Sequence, residues 1–233
     1  MLIFELTKPG SNLNYEDREL SRKFERLLSH LETAFYDANV ALNLFNGESE
    51  NRSALGVQNP EQWQNDFQKR QDLEQQVRNE LGIQPYESYE EVRFEVDVRL
   101  KRDKWRTGYV PLSHEQRIIF LHAKSFLNAL DTIDKFIKVI SEEDGAPAHI
   151  KQLHAHVAND FPHLRAVRNS AQHLEDRARG LGAGKVPKPL KLQPVDNGIV
   201  VAPQGALMLN NLFGTKLGYT MADGHHGEVD VSE

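Results

Sequence analysis

Residues 180–194 read GLGAGKVPKPLKLQP. No helix survives this stretch, because proline lacks the amide hydrogen a helix interior uses and its ring clashes with the turn before it. The segment therefore divides the chain. Upstream of it, apolar residues recur at three- and four-residue intervals, the spacing of a helix buried on one side. Downstream, GIVV, ALML, TKLGYTM and GEVDVS are short β-like runs. Gly198, Pro203, Gly205, Gly214 and Gly224 punctuate them, as an antiparallel meander requires. The expected fold is mainly α (α+β). An antiparallel helical bundle covers 1–182, a Gly/Pro/Lys linker covers 183–197, and a small C-terminal antiparallel β meander covers 198–233.

Within the bundle, MLIFEL reads as a short strand. Asn14 then caps a helix over 15–46, which Gly47 ends. GESENRSALGVQ reads as a loop, and Asn59-Pro60 opens a polar, glutamine-rich helix that stops at Gly82. Its apolar anchors are Trp63, Phe67, Leu73, Val77 and Leu81. EVRFEVDVRLK alternates Val92, Phe94, Val96, Val98 and Leu100 with charged residues, so a middle strand is expected near 91–101. A helix starting at Ser88, with Glu91 as its capping-box partner, is the competing reading. Ser113, with Gln116, caps the most apolar helix, which runs to Glu143 and carries Ile119, Phe120, Phe126, Leu127, Leu130, Ile133, Ile137 and Ile140. A shorter helix spans 147–158, and another starts at Asp160 and Pro162 and ends near Gly180. Trp63 and Trp105 are expected in the core.

The 233 residues include no cysteine, which removes disulfides, thiolate metal sites and a cysteine nucleophile. The N-terminus lacks the pattern of a signal peptide, and no apolar stretch reaches membrane-spanning length. A soluble, cytoplasmic protein with no membrane partner is expected. The net charge is −6, which argues against a general nucleic-acid-binding surface. The charge is uneven, however. Residues 149–191 carry eight Lys/Arg and three Asp/Glu, a balance of +5, while 1–148 and 192–233 are both acidic. A local anion-attracting patch is expected there.

That basic segment contains VRNSAQHLEDR, residues 167–177. On a helix of about 100° per residue, Leu164, Val167, Ala171, Leu174 and Ala178 form the core face. Arg165, Asn169, His173 and Asp176 lie opposite, with Arg168 on a flank. A histidine suits proton transfer near neutral pH. An arginine grips phosphate bidentately and stabilises transition-state charge. RNA supplies its own 2′-hydroxyl nucleophile, so no metal is needed. One copy of the pair is too open to surround a phosphate, whereas two copies across a twofold axis would enclose one. The bland alternative is a solvated helix face with Arg168 paired to an acidic side chain such as Glu175 or Asp176.

Arg168, followed by the polar Asn169 and then His173, on the last helix of a helical bundle, resembles the R-x4-H signature of HEPN (higher eukaryotes and prokaryotes nucleotide-binding) domains. The resemblance implies a HEPN-like bundle over about 15–180, a homodimer with the motifs paired, and metal-independent endoribonuclease activity leaving 2′,3′-cyclic phosphate ends. It implies Arg168, His173 and Asn169 as catalytic residues, with no cofactor and no metal. Arg165 and Arg177 are candidates for binding the RNA substrate. Because many family members are toxins or defence effectors, it also implies a cognate antitoxin. Some relatives lack nuclease activity and serve as binding or assembly modules, which is the alternative function.

Other constellations carry less. His149, His154, His156 and His163 lack the spacing of a metal pair on one helical turn. His225-His226 reads as an exposed hairpin turn. GLGAGK fails the phosphate-loop pattern because Val186 follows the lysine and no strand-to-helix context surrounds it.

Overall fold

The computed structural model describes residues 2–8, 10, 12–55, 60–184, 186 and 188–232. The helices are α1 (Arg18–Leu55), α2 (Pro60–Leu81), α3 (Tyr89–Arg106), α4 (Leu112–Glu142), α5 (His149–Asp160), α6 (Leu164–Gln172) and α7 (Leu174–Ala178). The strands are β1 (Val195–Asp196), β2 (Val201–Ala202), β3 (Asn211–Phe213), β4 (Lys216–Thr220) and β5 (His226–Asp230). A mostly helical chain with a small C-terminal antiparallel sheet is what the sequence led us to expect. Among the described residues, no helix is long and apolar enough to cross a membrane. The chain divides into two compact units, one of residues 1–47 and 119–233, the other of 48–118. This differs from the expected boundary at residues 183–197.

The core of the first unit draws Ala38, Leu42 and Phe45 from α1 and Ile119, Ala123, Phe126 and Leu127 from α4. Leu164 and Val167 of α6 join Leu217, Tyr219, Met221, Val229 and Val231 of the sheet region in the same cluster. The three-stranded sheet runs β3-β4-β5, all antiparallel, with Leu212 opposite Leu217 and Leu217 opposite Val229. Its inner face lies on α6 so closely that a Cβ at Gly227 would stand 3.1 Å from Val167 Cγ2 and 2.6 Å from Met221 Sδ. A side chain there would have to push Met221 and Val167 aside. β1 and β2 form a separate two-stranded ladder. The ALML run is not a strand, although Met208 exchanges hydrogen bonds with Thr220, its carbonyl accepting from the Thr220 N–H at 2.6 Å. The expected linker is also more ordered than its composition suggests. Gly182 N–H donates to the Lys188 carbonyl at 2.7 Å, Leu190 N–H donates to the Gly180 carbonyl at 2.7 Å, and β1 begins inside it. Lys185 and Pro187 lie outside the described residues.

Several local expectations need correction. Residues 2–6 form no strand. They run extended beside α1, where the Leu2 carbonyl accepts from Asn39 and Asn43 Nδ2 at 3.2 and 2.7 Å. Asp17, not Asn14, caps α1, its Oδ1 accepting from the Glu19 N–H at 2.8 Å. Gly47 does not end that helix, which continues to Leu55. A mid-helix glycine costs only about 1 kcal/mol, too little to terminate a long helix by itself. Residues 47–55 of the expected loop are therefore helical, and residues 56–59, including the Asn59 cap, lie outside the described residues. α4 begins one residue before its expected cap, with the Pro111 carbonyl accepting from the His114 and Glu115 amides.

The second unit contains the α2–α3 hairpin. Val77 of α2 packs on Val92 and Val96 of α3, with Leu73 and Ile83 beside them. The Arg78 guanidinium closes the turn by donating to the Gln84 and Glu87 carbonyls at 3.1 and 3.2 Å. Residues 91–101 are helix, not strand. Val92, Val96 and Leu100 are all buried at four-residue spacing, and the residues between them are not. An alternating pattern contains that four-residue spacing, so the two readings share the same apolar positions. Trp63 and Trp105 are exposed, contrary to the expected core role.

Candidate functional site

α6 forms because Leu164, Val167 and Ser170 share one buried face. The helix does not continue to Gly180 as expected. It breaks at His173, whose φ of −107° and ψ of 44° lie outside the helical region, and restarts as the short α7. The break turns the His173 imidazole into solvent, where its side chain is 59% exposed.

Arg168 points elsewhere. Its Nε lies 2.7 Å from Oδ2 of Asp131 on α4, and its Nη1 donates to Asn169 Oδ1 at 2.9 Å. Asp131 is only 1% exposed and also receives Lys135 Nζ at 2.5 Å on Oδ2. Its Oδ1 has no hydrogen-bond partner, and Arg165 Nε stands 4.0 Å away. Arg165 Nη2 pairs with Asp134 at 3.1 Å, and His154 Nε2 approaches the other oxygen of Asp134 at 3.2 Å. α4, α5 and α6 thus share a charged ridge in which two carboxylates face two arginines, a lysine and a histidine.

Arg177 is not a surface cation able to bind substrate. It is 2% exposed, with Nε donating to Ser170 Oγ at 3.2 Å and Nη1 to the Leu181 carbonyl at 2.6 Å. After the break at His173, α7 carries Arg177 inward beside the buried Ser170. His226 departs from its expectation too. It is buried in β5, with Nε2 3.1 Å from Glu228 Oε1, while His225 stays exposed.

Of the expected site residues, the structure thus joins Arg168 to Asn169, places Arg165 on the same ridge, exposes His173 at the helix break and buries Arg177. Sequence reasoning missed Asp131, Asp134, Lys135 and His154 as a group. A signal existed for Asp131, which lies four residues after Leu127 and six before Ile137 in the most apolar helix. An aspartate in that stripe needs a cation.

His173, Glu175 and Asp176 bring one potential ligand atom each within 4.8 Å of one another. His173 and Glu175 are exposed, Asp176 is half-buried and already engaged by Arg179 at 2.5 Å, and the positive end of α7 opposes a cation there. A cleft of about 470 Å³ runs between α1 and α4, lined by Ala34, Val40, Leu44, His122 and Ala129 among others, and includes none of the expected site residues.

Comparison of the chain with protein-family models, with curated proteins and with solved structures finds no match. Any functional reading therefore stands on the residues themselves.

Proposed function

We propose that this protein is a non-catalytic, HEPN-like binding or assembly module that acts as a homodimer, in which Arg168 and its neighbours are an architectural ridge. The observation that carries this is the seating of Arg168 on the 1%-exposed carboxylate of Asp131. Pulling the guanidinium away to grip a phosphate would leave that carboxylate with Lys135 as its one close cation among the described residues, and breaking a buried ion pair costs about 3–5 kcal/mol. Arg165 is likewise engaged by Asp134. Two of the segment's eight cations, Arg165 and Arg168, are thus engaged by α4 and held in place instead of facing an anionic ligand.

A second reading has its own support. His173 is open to solvent, and the Arg168 guanidinium keeps N–H groups beyond those given to Asp131 and Asn169. In a homodimer that brings two such faces together, Asp131 would orient Arg168 from behind while His173 moves protons. That would give the metal-independent endoribonuclease, with an RNA substrate and a toxin's cognate antitoxin as its partners.

Incubation of the purified protein with single-stranded RNA in EDTA separates the two. The assembly reading expects no cleavage, and Arg168→Ala lowering stability by about 3 kcal/mol in chemical denaturation. Cleavage to 2′,3′-cyclic phosphate ends, abolished by His173→Ala with the melting temperature unchanged, would replace it with the endoribonuclease. Cleavage surviving His173→Ala would point to a different source of activity and leave the assembly reading in place.

A further inference from the structure

We propose that α3 is a docking surface for α3 of a second copy of this chain, the two helices running antiparallel about a twofold axis at Val98. This goes beyond the α6 reading and uses none of its residues.

The first observation is a second apolar seam. α3 gives Val92, Val96 and Leu100 to its own hairpin. On the opposite side, Glu91, Phe94, Val98, Lys101 and Trp105 follow one another at spacings of three, four, three and four. That is the spacing of a coiled-coil seam. Phe94 is 69% exposed and Trp105 53% exposed, so the described residues leave the two largest residues of the seam largely uncovered.

The second observation is charge, and it selects the occupant. The charges turned toward α2 are partnered: Arg99 with Glu80 and Glu95, Asp97 with Arg70, Asp103 with Lys69, and Lys104 with Asp66. Glu90, Glu91, Arg93, Lys101, Arg102 and Arg106 have no ion-pair partner among the described residues. Apart from Arg93, these free charges are acidic at the first end of α3 and basic at the last. Among these free charges, Glu90 lies as far before Val98 as Arg106 lies after it, with the opposite sign. Phe94 falls opposite Arg102, a pair suited to cation–π stacking. An antiparallel second copy therefore sets the acidic first end of α3, Glu90 and Glu91, against its basic last end. A parallel copy would stack Glu90 and Glu91 on themselves and Lys101 and Arg102 on themselves, which is repulsive. Two helices of this length bury a small interface, so the dimer should be weak and concentration-dependent.

The test uses the full chain in sedimentation velocity over a concentration series. Wild type should show a reversible monomer–dimer equilibrium that weakens with salt. Glu90→Lys with Glu91→Lys, and separately Lys101→Glu with Arg102→Glu, should each weaken self-association by about tenfold while leaving helicity unchanged in circular dichroism. An equimolar mixture of the two variants should associate again, because each reversed end meets a complementary one. The chain has no cysteine, so Val98→Cys provides a single thiol at the axis. It should oxidise to a cross-linked dimer, whereas Phe94→Cys, displaced from the axis, should not. Val98→Cys also keeps the test decisive if a reversal variant fails to fold. A wild-type monomer at every concentration would overturn the proposal. So would a dimer unmoved by either reversal, or cross-linking at both cysteine positions, which means a parallel pair. A dimer intact in the α3 variants would overturn this inference whatever Arg168→Ala does, while the α6 reading is tested separately by RNA cleavage.

Discussion

Arg177 shows what a charged side chain does when a helix face carries it inward. The guanidinium finds no carboxylate among the described residues. Instead it bridges Ser170 on α6 and the Leu181 carbonyl, where the chain leaves its last helix. Its hydrogen bonds satisfy groups that would otherwise be buried unpaired, and each such loss costs about 1–3 kcal/mol. Arg177→Met should therefore lower the free energy of unfolding by about 2–4 kcal/mol in urea titration, with no effect on any RNA-directed property. Arg177→Lys should recover only part of this, since one ammonium cannot span both acceptors in the guanidinium's fixed geometry. Asp131 poses the complementary case. Asp131→Ala removes the shared anchor of Lys135 and Arg168 and should be more damaging than Asp131→Asn, which keeps an acceptor oxygen for Arg168. Thermal denaturation of the two variants side by side checks the order.

At the scale of elements, α1 and the segment beside it offer two tests. Gly47 lies inside α1, and a Cβ there would meet nothing within 4 Å. Gly47→Ala should stabilise the protein by about 0.5–1 kcal/mol through reduced freedom of the unfolded chain. The extended residues 2–8 are clipped by Lys8, whose ammonium pairs with Glu32 at 2.7 Å, while the Tyr36 hydroxyl donates to the same carboxylate at 3.0 Å. The hydrogen bond from Lys8, then that from Tyr36, holds the Glu32 carboxyl below the usual glutamate range. The hydrogen bond to Glu32 raises Lys8 and Tyr36 above theirs. The Glu32 contribution is thus complete above the ordinary glutamate pKa and lost as pH falls through the depressed one. The Lys8 contribution is lost as pH rises through the raised one. Amide exchange of residues 2–8 should accelerate at both extremes relative to that of α1 itself.

The same elements show what was legible in the sequence. The stripe of α4 and the glycine stop of α2 were plain, because long periodic runs leave little choice. α3 was misread because alternation and four-residue spacing coincide at Val92, Val96 and Leu100, and its length of 18 residues was the better guide. The break at His173 was not legible, since no glycine or proline marks it. The ridge around Asp131 was half legible. The aspartate was out of place in an apolar stripe, but its pairing with Arg168 depends on how α4 and α6 meet.

At the scale of the molecule, the two units differ in how much they bury. The hairpin unit closes on Val77, Val92 and Val96, whereas the other gathers a much larger cluster from α1, α4, α6 and the sheet. Regions with few buried apolar contacts open at lower free energy. Native-state hydrogen exchange should therefore show α2 and α3 losing protection well before α6, β4 and β5. Equal protection across both units would contradict this.

The seating of β4 and β5 on α6 has a consequence for biosynthesis. Val167 leaves the ribosome ahead of the residues that cover it, Met221 and Gly227, by on the order of 50 residues, or several seconds at ordinary rates of elongation. For that interval the apolar face of α6 is without the sheet that completes its core. The nascent chain therefore carries an exposed hydrophobic surface until residue 227 has emerged, when its helices can already have formed. That makes this face the part of the molecule most in need of a holding chaperone, and it makes the yield of folded protein more sensitive to pausing between residues 167 and 227 than to pausing anywhere before.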